Sequence, residues 1–183
     1  MFRIKSSTIA MVMGGLILVG AATAQAKSDN ALISEAQATM AQFKKADPGL
    51  VAFAEKSAGY VVFPAIGKGA VGVGGAHGDG VVFEKGKPIG KASLTQITVG
   101  LQIGGQAYSE VVFFQTPAVL AAFKKGDTKF SSGVSAVALK TGASANAKFT
   151  EGVAVFTATK GGLMLEASVG GQHFDFEAFP NAD

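Results

Sequence analysis

Residues 59–83 read GYVVFPAIGKGAVGVGGAHGDGVVF, and this stretch decides the fold. It begins with the apolar run Tyr60–Phe63, interleaves glycine with valine over 67–75, and ends with a second apolar run, 81–83. Each glycine inside a helix costs about 1 kcal/mol relative to alanine, so this density of glycine argues against a helix. Strands tolerate glycine where a sheet bends tightly or another backbone comes close. The stretch therefore predicts a strongly curved hairpin that turns at Gly78-Asp79-Gly80.

The residues after this hairpin keep a period of two, which is typical of strands, and glycine-rich turns separate the segments. The predicted strands are 59–64, 69–76, 80–85, 94–104, 107–115, 130–140, 146–158, 161–170 and 172–177. Strands at this regular spacing favour an α+β, mostly β fold whose curved antiparallel sheet closes as a barrel or a sandwich.

Three segments have helical spacing instead. An amphipathic helix is predicted over 30–45, because apolar residues recur every three or four positions and lysines occupy its last turn. Asp47-Pro48-Gly49 ends this helix, and Pro48 can begin a short second one over 50–56. A further short helix is predicted over 117–125, with Gly126 at the position that follows a helix end.

The first 26 residues resemble a secretory signal peptide. Arg3 and Lys5 form a positive start, 9–19 is apolar, and Ala24-Gln25-Ala26 fits the small-x-small cleavage pattern. An uncleaved anchor is the alternative, although the apolar run is short for a span, which needs about 20 residues. We therefore expect a signal peptide over 1–26, a single domain over 27–183, and a periplasmic or secreted protein that associates peripherally with a membrane.

The charge of the expected mature chain argues against nucleic acid as a partner. Without Arg3 and Lys5 the chain keeps 14 lysines and 13 acidic residues, so it is nearly neutral. Arg3 is also the single arginine of the sequence. Nucleic-acid binders generally use the planar arginine fork for phosphates and guanine edges.

No motif for catalysis, nucleotide or metal stands out. Gly67-Lys68-Gly69-Ala70-Val71-Gly72 matches G-x-G-x-x-G, but the dinucleotide motif must open a helix, and here a glycine-rich strand continues. There is no cysteine and no G-x-S-x-G elbow. His173, Asp175 and Glu177 share one strand face, which is either a solvated face or a weak metal site. We expect no enzyme activity, no cofactor, no bound nucleotide and no metal.

Four ordered blocks carry a resemblance to a known family. They are Lys56–Pro64, the glycine-rich 67–80, Gly100–Gln106 running into Ser109–Phe114, and Lys160–Ser168. These blocks resemble the SYLF domain family of lipid-binding modules, which includes actin-binding proteins of yeast. The resemblance implies binding of an anionic membrane lipid, and it leaves room for a protein partner.

The residues themselves offer a modest basis for membrane contact. A lysine near an anionic surface contributes roughly 1 kcal/mol, and an inserted methionine or phenylalanine adds about 1.5–3 kcal/mol. The predicted lipid-binding residues are Met40, Phe43, Lys44, Lys45, Lys56 and Lys68. The two apolar side chains could instead pack the first helix onto the sheet. A periplasmic scaffold that binds protein without a lipid ligand is the competing function.

Overall fold

The computed structural model describes residues 28–71, 73–99, 106–126, 134–159 and 171–180. Within these ranges the helices are α1 (Asp29–Ala46), α2 (Gly49–Lys56), α3 (Pro117–Lys124) and α4 (Ala143–Asn146). The strands are β1 (Gly59–Val71), β2 (Val73–Glu84), β3 (Lys87–Val99), β4 (Gln106–Phe114), β5 (Ala136–Ala138), β6 (Val153–Thr159) and β7 (Gln172–Ala178).

One mixed sheet holds all seven strands in the order β5-β6-β4-β1-β2-β3-β7. Every neighbouring pair is antiparallel except β5 and β6, which are parallel. The predicted α+β, mostly β class is confirmed. The prediction that the sheet closes as a barrel is wrong. β5 and β7 form two open edges, and no ladder joins them in the described ranges. A period of two shows which residues share a face, but it carries no information on whether two edges meet.

The sheet nevertheless curls strongly. The ladders of β1 are irregular between Val62 and Gly67 on one side and between Phe63 and Ile66 on the other, around Pro64. Proline lacks an N–H donor and is found in sheets at such bulges. Three strands separate β4 from β7, which would place them about 19 Å apart in a flat sheet. Side chains of the two strands still form a hydrogen bond, so the face that carries them is concave.

The glycine-rich hairpin is confirmed, but its turn lies elsewhere than predicted. β1 and β2 pair from Gly59↔Glu84 to Val71↔Val73, so Gly78–Gly80 lies inside β2. A Cβ at Gly80 would come within 2.6 Å of the Val62 carbonyl oxygen and of the Phe63 ring. This glycine therefore permits a close approach rather than a turn.

The predicted helices 30–45, 50–56 and 117–125 correspond to α1, α2 and α3. The Ser28 hydroxyl accepts the Ala31 N–H at the start of α1, and the Thr116 hydroxyl accepts the Val119 N–H at the start of α3. The predicted strand 146–158 begins too early, because α4 and a turn precede β6. Gly142, at a φ of 76°, leads into α4.

Two apolar cores cover the two faces of the sheet. On the concave face, α3 packs against the sheet and contributes to a core of Val61, Phe63, Ile66, Ala76, Val82, Ala92, Leu94, Tyr108, Val112, Phe114, Leu120, Phe123, Val134, Val153, Val155 and Phe174. On the convex face, α1 and α2 contribute to a core of Leu32, Ala36, Met40, Phe43, Leu50, Val62, Val81, Phe83, Val111, Phe113, Ala154 and Phe156.

Several predicted features lie outside the described residues. They are the signal peptide 1–26, the strand 161–170, the last part of 94–104 and the first part of 130–140. Among the helices that are described, none has the length and apolar character needed to cross a bilayer.

Candidate functional site

The two apolar residues predicted to contact lipid lie in the convex core. Met40 is 5% exposed and Phe43 is 2% exposed, and both pack α1 against the sheet. Packing, the alternative that the sequence left open, is therefore the arrangement in this structure. Neither side chain can reach a bilayer while α1 stays docked.

The four predicted lysines fall into two places. Lys44 and Lys45 occupy the last turn of α1, and Lys56 occupies the last turn of α2, directly before β1 begins. Lys68 lies nine residues into β1, up to about 30 Å along the strand from Gly59. It also shares the concave face with Ile66, opposite α1 and α2. The structure thus brings three lysines to one end of the convex face and leaves Lys68 apart from them.

A cavity of about 500 Å³ lies between α2 and α4, next to Lys56. We call it the α2–α4 cavity. Its walls are formed by Asp47, Pro48, Gly49, Ala52, Phe53, Lys56, Gly142, Ser144, Ala145 and Phe149. The Phe53 ring lies 5.2 Å from the Phe149 ring and 5.4 Å from the core ring of Phe156, measured between centroids. These contacts connect the apolar wall of the cavity to the convex core.

Asp47 holds the two sides of this cavity together. Its Oδ1 accepts the Gly49 N–H at 3.1 Å, and its Oδ2 accepts the Ser144 N–H at 2.6 Å. One carboxylate therefore satisfies donors at the starts of both α2 and α4. Burial alone would raise the pKa of Asp47, but hydrogen bonds from Ser144, Gly49 and Gly142 outweigh burial and lower it.

Gly49 is needed for this close packing of α2 against α4. A Cβ at Gly49 would collide with the Ser144 hydroxyl oxygen. The Asp47-Pro48-Gly49 motif predicted as a helix break thus has a second use. It lets a segment about 95 residues later in the chain pack directly against the first turn of α2.

A second groove, of about 310 Å³, lies on the other side of α2. We call it the α2–turn groove; it is lined by Lys44, Val51, Ala54, Glu55, Ser57, Gly59, Tyr60, Lys85 and Gly86. Val51 is 41% exposed and is one of two large apolar side chains with such exposure among the described residues. Lys85 reaches the groove from the β2–β3 turn, where Lys85 and Gly86 both have positive φ. We call α2 together with Lys44, Lys45, Lys56 and Lys85 the α2 corner.

Sequence reasoning missed several residues of this site. Lys85 was assigned only to a strand end, although the following Gly86 marks a turn that could present it. Ser144, Ala145 and Phe149 come from a segment predicted as strand or loop, and no local pattern shows that it packs against α2.

A buried polar cluster lies inside the curled sheet, away from the α2 corner. Glu110 on β4 and Gln172 on β7 are both fully buried, and Tyr108 is 3% exposed. Burial raises the pKa of Glu110 to about 8, although the hydrogen bond from Gln172 lowers this pKa by a smaller amount. Burial and the charge of Glu110 also raise the pKa of Tyr108, whose side chain hydrogen-bonds Gln172.

The two histidines, His77 on β2 and His173 on β7, are both exposed. His173 Nε2 lies 3.8 Å from Asp175 Oδ1, and both side chains are open to solvent. Phe174 and Phe176 alternate with these exposed residues and pack in the concave core. Within the described ranges there is no group of three acidic, histidine or cysteine side chains that could hold a metal ion.

Comparison with known proteins adds a family match over part of the chain. Residues 95–182 match the family model "Ysc84: Las17-binding protein actin regulator", which corresponds to the SYLF domain. The match covers 88 of the 183 residues and confirms the resemblance to the SYLF family over that segment. No curated protein matches the chain.

The matched segment depends on the residues that precede it for its place in the sheet. The match takes in the end of β3 and all of β4, α3, β5, α4, β6 and β7. In the sheet, however, β1 and β2 lie between β4 and β3. The matched strands therefore cannot form this sheet without the glycine-rich hairpin.

Proposed function

We propose that this protein is an exported, non-enzymatic module that binds anionic membrane lipid through the α2 corner. The observation that carries the proposal is that Lys44 and Lys85 line the α2–turn groove together with the exposed Val51. Lys45 follows Lys44 in the last turn of α1, and Lys56 lies in the last turn of α2. At roughly 1 kcal/mol per lysine near an anionic surface, four lysines supply about 4 kcal/mol. This is enough for weak, reversible attachment in the millimolar range.

The exposed corner suits contact with a broad anionic surface. Ala52 is exposed on α2 and Pro48 is exposed at its N-cap, so the corner also presents small apolar side chains. Glu55 is the acidic residue of the α2–turn groove, and it offsets part of the positive charge. Because α1 keeps its apolar face on the sheet, the attachment would be mostly electrostatic and would leave the fold intact.

The family supports lipid or protein binding as a class, and its description names binding of Las17 and regulation of actin. The pattern of residues 1–26 supports export, which removes a cytosolic partner of that kind. Export is tested by N-terminal sequencing of the periplasmic or secreted fraction, which should begin at Lys27. A protein held in the inner membrane with Met1 intact would contradict it.

Vesicle flotation tests lipid binding. Every described core residue follows Lys27, so the chain from Lys27 is expected to keep the fold. It should float with vesicles rich in phosphatidylglycerol and not with phosphatidylcholine vesicles. Equal recovery of the protein with both kinds of vesicle would favour the scaffold function. Recovery with neither kind, together with capture of a protein partner, would favour it as well.

A further inference from the structure

We propose that the α2–α4 cavity holds one acyl chain of an anionic lipid, whose headgroup is bound by Lys56. This inference rests on the proposed function. It assigns a ligand to a cavity that electrostatic attachment through the lysines does not use. Its volume of about 500 Å³ lies within the range of about 300–1,000 Å³ that is typical of small-molecule sites.

The walls of the cavity fit a hydrocarbon chain. Pro48, Ala52 and Phe53 line it from the α2 side, and Ala145 and Phe149 line it from the α4 side. Phe53 also contacts the core ring of Phe113, with 5.6 Å between centroids. The aromatic wall is therefore held in place by the convex core, and the cavity does not have to be assembled when a ligand enters.

The polar groups of the cavity specify a negative end for the ligand. Both oxygens of Asp47 already accept backbone N–H groups, so this carboxylate has its donors without a ligand. Lys56 lies at the exposed end of α2, and no acidic side chain in the described ranges lies within ion-pair distance of it. An apolar cavity with one unpaired cation beside it matches an amphiphile that has one anionic head.

Binding of a single-chain lipid below its micelle concentration separates this inference from membrane binding in general. Dodecanoate and the uncharged dodecanol serve as probes, measured by calorimetry on the chain from Lys27. The expected result is one dodecanoate per chain. Replacing the lysine, Lys56→Gln, should weaken dodecanoate about fivefold, since one lysine–anion contact is lost. The same change should leave dodecanol binding unaltered.

Two variants fill the cavity from opposite walls. Ala52 and Ala145 are exposed, so Ala52→Phe and Ala145→Phe place a ring in the cavity with little cost to the core. Each should weaken dodecanoate binding by about tenfold or more, because the ring takes the volume that the chain would occupy. Ala121→Phe adds the same ring at an exposed position on α3, away from α2, and should bind as wild type does.

The outcomes distinguish the two proposals. Absence of dodecanoate binding by the wild type, or binding that neither filling variant weakens, would overturn the acyl-chain site. If flotation on anionic vesicles persists in that case, the proposed membrane function stands alone. Dodecanoate binding that both filling variants abolish, with melting temperatures kept, supports the site even if flotation fails.

Discussion

Gln172 donates a hydrogen bond from its side-chain amide to Oε2 of Glu110 at 3.2 Å, across the interior of the curled sheet. The bond joins β7 to β4, although β1, β2 and β3 lie between them. Oε1 of Glu110 and Oε1 of Gln172 are both buried and have no hydrogen-bond donor in the described part of the chain. The hydrogen bond from Gln172 favours the carboxylate, but the burial of Glu110 outweighs it and favours the neutral acid.

The first prediction is that stability falls as pH rises toward 8 because of Glu110. Burial raises the pKa of Glu110 from 4.5 to about 8 in the folded chain, whereas the unfolded chain ionises near 4.5. Between these values the folded state holds a proton that the unfolded state has released. The free energy of unfolding therefore decreases as pH rises, at the rate expected for a difference of one bound proton. Above about pH 8 both states are ionised and this dependence ends.

Chemical denaturation from pH 5 to pH 9 measures this effect by comparison with Glu110→Gln. The variant is neutral at every pH, and its amide can donate to the Gln172 carbonyl oxygen. Its stability relative to wild type should rise through this range and level off near pH 8. The control is Glu177→Gln, at an exposed position on β7. Parallel curves for wild type and Glu110→Gln would show that Glu110 does not change its charge in this way.

The second prediction concerns Asp47, whose effect has the opposite sign. Hydrogen bonds from Ser144, Gly49 and Gly142 lower its pKa in spite of burial. Stability from this carboxylate is therefore present above its unfolded pKa, near 3.8, and is lost as pH falls through the folded value. Asp47→Ala leaves N–H groups of α2 and α4 without their acceptor, which costs about 1–3 kcal/mol at pH 7.

Denaturation of Asp47→Ala at pH 7 and at pH 3 measures this loss, and the difference from wild type should shrink in acid. Asp29→Ala is the matched control, because Asp29 lies exposed in the first turn of α1. A loss for Asp47→Ala that is equal at both pH values would mean that the charge of Asp47 contributes nothing.

The third prediction is that Gly80 tolerates no side chain. Gly80→Ala should destabilise the fold by about 1–3 kcal/mol, because its Cβ meets the Val62 carbonyl oxygen and the Phe63 ring. Gly67→Ala, in the same hairpin, is the control, since its Cβ would lie 4.0 Å from its nearest neighbour, the His77 carbonyl oxygen. Urea denaturation of both variants measures the difference, and equal stability of the two would refute close approach as the reason for Gly80.

Local patterns were sufficient for the helices and for the faces of the strands. Ser28 and Thr116 cap the helices that the spacing predicted, and Phe174 faces the core opposite His173. Patterns of this kind report what one segment buries. They cannot report which segment lies beside it, so the parallel pairing of β5 and the open edges were not predictable.

The candidate site was predictable only in part for the same reason. Lys44, Lys45 and Lys56 were found because they are near one another in sequence, at the ends of two consecutive helices. Lys85 joins them through the register of the β1–β2 ladder, which places Glu84 opposite Gly59. Lys68 looked equivalent in sequence, but nine residues of strand and the opposite face of the sheet separate it from α2.

The last prediction tests whether the α2 corner is the part that meets a membrane. Lys44→Glu/Lys45→Glu reverses two charges there and should lower partitioning onto anionic vesicles at low salt by at least about 2 kcal/mol, or about 30-fold. Lys68 lies on the concave face of β1, and Lys125 lies at the end of α3, which packs on the same face. Lys68→Glu/Lys125→Glu changes the net charge by the same amount there and should bind nearly as wild type does. A similar loss in both variants would indicate that only net charge matters.

Salt provides an independent check on the same two variants. Raising the salt concentration from 0.1 M to 1 M shortens the Debye length from about 10 Å to about 3 Å, so electrostatic attachment should weaken strongly. Wild type in 1 M salt should then float no better than Lys44→Glu/Lys45→Glu does in low salt. If the double variant floats like wild type in low salt, Lys44 and Lys45 do not contact lipid, since both lie at a helix end where charge reversal leaves the core unchanged. Binding would in that case depend on another surface, and Lys56 and Lys85 are the next residues to reverse.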